Sequence, residues 1–579
     1  MDRKSWLAII LSVIGLFVWQ WYVSKYYKPQ MPTASAASTP TPTPPPTGLA
    51  PAPTAGPSGP QTPVMTARAE SLSTNSTEFV FNNDAGGIEQ VVLRMHLGEN
   101  HDNVTLNRSR TMPIGAFGFN PGEVLGGFEM TADRAKGEVF FKRSQADGLE
   151  ITKRFSLPAG DGNKSPYLVN LEVTLANTGS NAILVPDFFI STGGAAPIHI
   201  HDLPMYTRFD WGHDTKMSNI DVNWFSASSV PLLGIPLHGE RPLYLESKSD
   251  IRWAAVASQY FCTIVTPQQD TAVKSVWAKR FDSSKLNGTQ VFGVQGGLVQ
   301  GGLQLAPGTR ETRTFQIYSG PKEIPRLRQL GPTQDQVMNF GMFGFVSEFL
   351  LWAMNTLHNA LGSYAAAIIV LTLLIKTILW PVQNKATTEM RKMALLSPKM
   401  TEMREKYKDD PQKLNEETMK LYRDYGVNPF SGCLPMFFQI PIFFGFYSML
   451  GTAIELRNSS FFWVADLSQP DTIAHVLGFP INVLPIVMAC TMVWQMIITP
   501  KTGDAVQQRM FYFMPIIFLV FSYNYASGLA LYWTTQNLFS IVQLYLTRNK
   551  PLPTLEKKSV VAKRAAAEAR KKNKNRHSP

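Results

Sequence analysis

Lys376 lies inside the apolar run Tyr364 to Val382 (YAAAIIVLTLLIKTILWPV), and that run contains no acidic residue to neutralise it. The run is long enough to cross a bilayer. A charge within a spanning helix costs at least about 2.5–3.5 kcal/mol on insertion scales, so such a cation normally faces a bundle interior or a wet cavity. The alternative is snorkelling. Val382 is about 9 Å further along the helix, a span over which a lysine stem can carry its ammonium to the headgroups. Lys376 alone leaves both readings open.

Its polar company favours the cavity. Thr372 precedes it by one turn, Gln439, Gln495 and the pair Ser522 and Asn524 lie in three later apolar runs, and Thr534, Thr535, Gln536 and Asn537 stand in succession in the last. One polar residue per helix is ordinary interhelical glue. Four in a row cover every face of a helical turn, so some must point where neither lipid nor tight packing is wanted. A water-accessible groove accounts for both the amides and the lysine, whose charge would attract an acidic segment of a passing polypeptide in low-dielectric surroundings.

These residues need a membrane frame, which the 579-residue chain supplies unevenly: it is 44% hydrophobic and only 17% charged. Residues 1–24 read as a retained anchor helix. The apolar core Trp6 to Val23 exceeds a signal h-region, and Ala34-Ser35-Ala36 lies beyond Lys25 and Lys28. Residues 25–63 form a Pro/Thr/Ala-rich semi-stiff spacer. From residue 64 to 321 the hydrophobic period becomes two. Val169, Leu171, Val173 and Leu175 alternate with polar neighbours, and Asn83-Asp84-Ala85-Gly86-Gly87 separates two strand-like runs, which together predict a soluble β-sandwich domain. Arg3 and Lys4 before the anchor place that domain across the membrane from the cytoplasm.

Within 322–361, Glu348, Asn355 and Asn359 make a polar stripe on Met342 to Leu361, the pattern of an interfacial amphipathic helix. Residues 362–547 carry five spans: Tyr364–Val382, Cys433–Leu450, Ile481–Ile498, Met510–Tyr525 and Leu529–Leu546. With the anchor that makes six, and the basic loop 383–430 then faces the cytoplasm, as the positive-inside bias requires. That loop reads as a helical hairpin. Met393, Leu396, Met400, Met403 and Tyr407 form one stripe, Asp410 and Pro411 start a second helix, and Gly426 stops it. The methionine stripe either packs on the second helix or offers a soft apolar surface to unfolded clients. Residues 548–579 hold eleven Lys/Arg against two Glu, a net +9 out of the chain's +11, and such a tail attracts RNA or anionic lipid.

Catalysis is not expected. Cys262, Cys433 and Cys490 have neither disulfide-framework nor zinc spacing. His199-Ile200-His201-Asp202 puts two imidazoles on one face only if it is a strand, with His213 nearby, and lacks a third ligand at motif spacing. Gly296-Gly297 and Gly301-Gly302 precede no helix and make no phosphate loop. A secondary transporter or channel with an intramembrane lysine site is the alternative, supported by Pro441, Pro485 and Pro515. It gives no reason for the hairpin or the tail, and no inverted repeat is visible.

The string Gly426 to Leu450 (GVNPFSGCLPMFFQIPIFFGFYSML), with Ser527-Gly528-Leu529-Ala530-Leu531-Tyr532-Trp533 and Asn537, resembles the YidC/Oxa/Alb insertases of the type with a large periplasmic domain. Spacer, β domain, interfacial helix, hairpin, paired last spans and basic tail follow in the same order. The resemblance implies a bacterial inner-membrane protein with both termini cytoplasmic and a periplasmic β-supersandwich beside a helical bundle. It implies no enzyme activity, cofactor or metal. Its activity would be insertion and folding of nascent membrane proteins, alone or with the Sec translocon and its accessory subunits, and a monomer would suffice. Lys376, Thr372, Gln439, Gln536, Asn537 and Ser522 would line the groove, Tyr532 and Trp533 would touch the client, Met393, Leu396, Met400 and Met403 would receive it, and the tail would reach the ribosome. The groove cation of the family is usually arginine. Lys376 keeps the charge without the bidentate fork.

Overall fold

The computed structural model describes residues 69–548, apart from 99–101, 109–110, 159–164, 214, 230–235, 249, 269–272, 284, 287, 429–433 and 500–504. The anchor, the Pro-rich spacer, Gly432-Cys433 and the basic tail after Arg548 lie outside the described residues.

The period-two pattern becomes antiparallel sheet. Strand Leu168–Asn177 alternates buried and half-buried positions along its length, with Val169, Leu171, Val173 and Leu175 fully buried. It lies mid-sheet, pairing Arg310–Pro321 on one side and Leu149–Ser156 on the other in a nine-stranded sheet. A five-stranded sheet built on Val273–Asp282, Phe292–Gln300 and Phe188–Ala195 packs against it. The two sheets approach closely at Gly296, where a Cβ would stand 2.4 Å from the Phe209 ring. A four-stranded sheet completes the domain, and its hairpin Thr77–Asn82/Gly87–Leu97 turns on the Asn83 to Gly86 segment. One main hydrophobic cluster runs through the three sheets, with a small separate one of Met112, Phe189 and Trp277 on the five-stranded sheet, as expected of packed β layers.

Nine α-helices follow among the described residues: α1 (Ile324–Leu330), α2 (Gly344–Leu361), α3 (Tyr364–Ile378), α4 (Trp380–Lys406), α5 (Pro411–Tyr425), α6 (Leu434–Thr452), α7 (Val483–Ile498), α8 (Ala505–Ser522) and α9 (Ser527–Arg548). Helix α9 packs on α3, α6 and α7, and α2 lies across α3 and α6. At the α2–α6 crossing Gly445 allows contact. A Cβ there would meet Val346 at 2.7 Å, and Ser347 Oγ donates to the Gly445 carbonyl at 3.1 Å. Among the described residues no single helix is long and apolar enough to cross a membrane; α3 and α4 meet that test together, bent by 60°.

That bend corrects the expected continuous helix from Tyr364 to Val382. Pro381, in the first turn of α4, has no N–H to give the preceding turn and its ring clashes with the carbonyl four residues back, so α3 stops at Ile378 and a new axis begins at Trp380. The hairpin's first helix therefore starts inside the apolar run rather than at residue 383. Its second begins as expected, with the Asp410 carboxylate accepting from Lys413 N at 3.0 Å, Pro411 next, and Gly426 closing it at φ 65°. Helix α2 also departs from the simple stripe. Asn355 is turned inward and donates to Glu455 at 3.1 Å, while Phe345, Phe349 and Trp352 form the exposed face. Burial pushes the Glu455 carboxyl up.

The β domain is clamped to one end of the bundle. Arg457, just beyond α6, donates to the Leu97 carbonyl, faces His199 Nδ1 at 3.5 Å and lies over the rings of Tyr260 and Phe261. Gln259 Nε2 donates to the Gly451 carbonyl at 2.8 Å, and Tyr260 OH donates to the Ser468 carbonyl at 3.3 Å. Residues 198–201 are bend and turn rather than strand, so His199 and His201 do not share a strand face; His199 faces Asp202 at 3.5 Å. Burial raises the Cys262 thiol to about 12, which leaves it inert.

Lys322, at the domain's exit, is fully buried with no hydrogen-bond partner for Nζ, and burial lowers its pKa from 10.5 to about 7. The unfolded chain holds that proton up to about pH 10.5, so the penalty on folding is complete below about pH 7 and disappears as pH rises toward 10.5. Lys322→Met is expected to unfold at higher denaturant concentration than the parent at pH 6.5, with the difference shrinking steadily at pH 8 and 9.5, as read by urea titration of the β domain's tryptophan fluorescence.

Candidate substrate seam at Lys376

The last turn of α3 brings Lys376 to α9, not to lipid. Its Nζ donates to Ser540 Oγ at 3.4 Å, a long and weak bond. Ser540 donates in turn to the Gln536 carbonyl at 2.9 Å. One turn away, Gln439 Nε2 of α6 donates to Gln536 Oε1 at 2.8 Å and to Tyr532 OH at 3.3 Å. Thr372 is buried on the same side and returns its hydroxyl to the Ile368 carbonyl at 2.7 Å. Lys376, Thr372, Gln439, Tyr532 and Gln536, with Ile375, Leu379, Ile442 and Phe446, line a recess of about 10 Å³, the room of one water molecule. It is a narrow polar seam, tighter than the water-accessible groove expected from the sequence.

Among the described residues Lys376 has no ion-pair partner. Ser540, Gln543 and Thr547 extend the polar face of α9 away from the β domain, and Gln543 Nε2 donates to Asn384 Oδ1 of α4 at 3.2 Å. Sequence reasoning passed over Ser540 and Gln543. The available signal was their spacing from Gln536, four and seven residues, which puts all three on one helix face.

Of the four consecutive polar residues only Gln536 enters the seam. Thr535 bonds back to the Leu531 carbonyl, and Asn537 points to α7, donating to Thr491 Oγ1 at 3.1 Å and to the Met488 carbonyl at 3.5 Å. Ser522 bonds to the Phe518 carbonyl at 2.7 Å, also beside Met488. Asn537 and Ser522 thus belong to interhelical packing on the far side of α9. Tyr532 is buried and stacked on Phe446 with centroids 4.0 Å apart, while Trp533 fits between Phe443 and Phe518 at 4.8 and 4.4 Å. On the hairpin, Leu396 is buried and Met393, Met400 and Met403 are half-buried; among its described residues the large apolar side chains left open are Leu395 and Met419.

Comparison with known proteins places both halves of the chain. Residues 71–353 match the family described as YidC periplasmic domain, and residues 356–553 match the family described as 60Kd inner membrane protein. A membrane protein insertase YidC from Nitratidesulfovibrio vulgaris (strain DP4) is 31% identical over 568 residues, covering 94% of this chain and 98% of the relative. Another from Syntrophus aciditrophicus (strain SB) is 29% identical, covering 94% and 99%. A crystal structure described as an active YidC insertase with its first transmembrane domain resolved aligns with TM-score 0.34 and 18% identity, covering 84% of this chain and 94% of that one. With both family models matched and relatives aligned nearly end to end, the chain belongs to the YidC family of membrane protein insertases of the bacterial inner membrane, the type that carries a periplasmic domain.

Proposed function

We propose that this chain inserts membrane proteins by lodging a client's polar segment on the Lys376 seam while the client's apolar segment leaves sideways into lipid, either alone or beside the Sec translocon. The single observation that carries the reading is an ammonium inside an apolar bundle whose only hydrogen-bond partner among the described residues is the Ser540 hydroxyl at 3.4 Å. A client carboxylate would replace that contact with a charge-assisted bond, about twice as strong as a neutral one. The seam's other groups bond to one another, so they can exchange partners with a client backbone without leaving a buried group orphaned.

In this reading six spans, the anchor included, place both termini and the α4–α5 hairpin in the cytoplasm. The seam widens as α4 swings at the Leu379–Trp380 bend, and the polar face of α9 from Gln536 to Thr547 leads inward from the cytoplasm. The hairpin receives clients through Met393, Leu396, Met400 and Met403 once these part from their packing, Tyr532 and Trp533 meet the client as the seam opens, and the tail meets the ribosome and anionic lipid. Energy comes from client binding and from apolar surface entering lipid, roughly 25 cal/mol per Å².

Lys376→Arg is expected to keep insertion of a client with an acidic translocated segment, and Lys376→Ala to lose about tenfold, the size of one charged hydrogen bond. Lys376→Glu should abolish it, yet accept a client whose acidic residues are changed to lysine. Protease protection of the newly made client, in cells depleted of their own insertase, reads all three; equal insertion by all three contradicts the reading. Ser540→Ala removes only a weak contact and is expected to stay within about twofold of the parent in the same assay.

A further inference from the structure

A feature that the insertion reading does not use lies at the other end of the bundle. Strands Thr472–Val476 and Phe479–Asn482 form a two-stranded hairpin joined by Leu477 and Gly478, both at positive φ, 53° and 84°. Such two-residue turns favour Asn-Gly, and a branched aliphatic residue in the left-handed region is strained. Leu477 is also 96% exposed. Turn geometry and water solubility both argue against leucine there. Phe479, Ile473 and Val476 are exposed around it, and Phe462 and Trp463 stand open on the preceding loop. From Thr472 to Asn482 there is no Asp, Glu, Lys or Arg.

The prong is fixed at its base. Tyr523 OH donates to the Pro480 carbonyl at 2.5 Å, Asn482 Nδ2 donates to the Tyr523 carbonyl at 2.6 Å, and Asp471 accepts from Leu484 N at 2.7 Å in the first turn of α7. Tyr523 directly follows the last turn of α8, where Val520 and Phe521 are exposed, and Ile486 and Val487 are exposed just inside α7. The apolar surface of the prong is therefore continuous with the apolar outer surface of two helices of a membrane protein.

We propose that this hairpin is a lipid-binding element that lies in the periplasmic leaflet of the inner membrane. Two open strand edges cannot enter hydrocarbon, where their N–H and C=O groups would find no partners. The prong thus rests at the boundary of headgroups and acyl chains, with Leu477, Phe479 and the Phe462–Trp463 pair as its apolar anchors. Lacking Asp, Glu, Lys and Arg, it does not discriminate between anionic and zwitterionic lipid. A docked protein would need a complementary surface, and the prong offers no charged rim of Asp, Glu, Lys or Arg and, beside its tip, only His475 as an exposed side-chain donor.

The test uses the full chain in phosphatidylcholine vesicles, with Cys433 and Cys490 changed to serine, Cys262 to alanine, and a bimane on Leu477→Cys. A bimane on Lys136→Cys, in the water-exposed part of the β domain, is the aqueous reference. The expected result is a blue-shifted emission at 477, quenched more by lipid brominated near the headgroup end of its chains than by lipid brominated at the tail end. Adding phosphatidylglycerol should leave it unchanged. Emission matching the 136 reference, stronger quenching from the tail-brominated lipid, or shielding that appears only when a Sec complex is added would each overturn the proposal. If Leu477→Cys does not assemble, Val476→Cys gives the same readings.

Discussion

An ammonium with no ion-pair partner among the described residues, that of Lys376, sets the terms for the bundle. Lys376 is half-buried at the end of α3, and α9 offers it only a distant hydroxyl and, beyond that, the carbonyl and amide of Gln536. That support is incomplete. One long hydrogen bond is a poor substitute for a carboxylate, and the deficit is what an acidic client would fill. A buried salt bridge at this place would have closed the site for good.

The surrounding architecture keeps that deficit confined. Helix α9 joins three neighbours and divides its polar residues between two sides: Gln536 and Ser540 toward Lys376, Asn537 toward α7. The α2–α6 crossing at Gly445 and the Arg457 clamp hold the end of the bundle that meets the β domain, while at the opposite end α3 breaks and α4 departs by 60°. A clamped far end and a bent near end suit the proposed opening of the seam at the end away from the β domain.

Much of the β domain was legible because alternation is a local signal: Val169 to Leu175 and the Asn83 to Gly87 turn carry their structure in a few neighbouring residues. The hairpin was legible for the same reason, through Asp410, Pro411 and Gly426. The break at Leu379 was signalled by Pro381, but the length of the apolar run outweighed it. Which polar residues meet was only partly readable. Lys376, Thr372, Gln439 and Gln536 do converge, whereas Asn537 and Ser522 do not, because the rotational phase of a helix between several neighbours is set by packing and not by its own composition. The Arg457 clamp joins segments hundreds of residues apart, and the Leu477 prong hides in an ordinary loop. Neither leaves a periodic trace.

Whether the seam opens to water from the cytoplasm decides the account. Gln536→Cys and Asn537→Cys, each in a chain lacking its other thiols, can be exposed in inside-out vesicles to a membrane-impermeant maleimide. The account requires position 536 to react from the cytoplasmic face, faster when a client is being inserted, while position 537 stays silent; equal protection of both positions during insertion would contradict it.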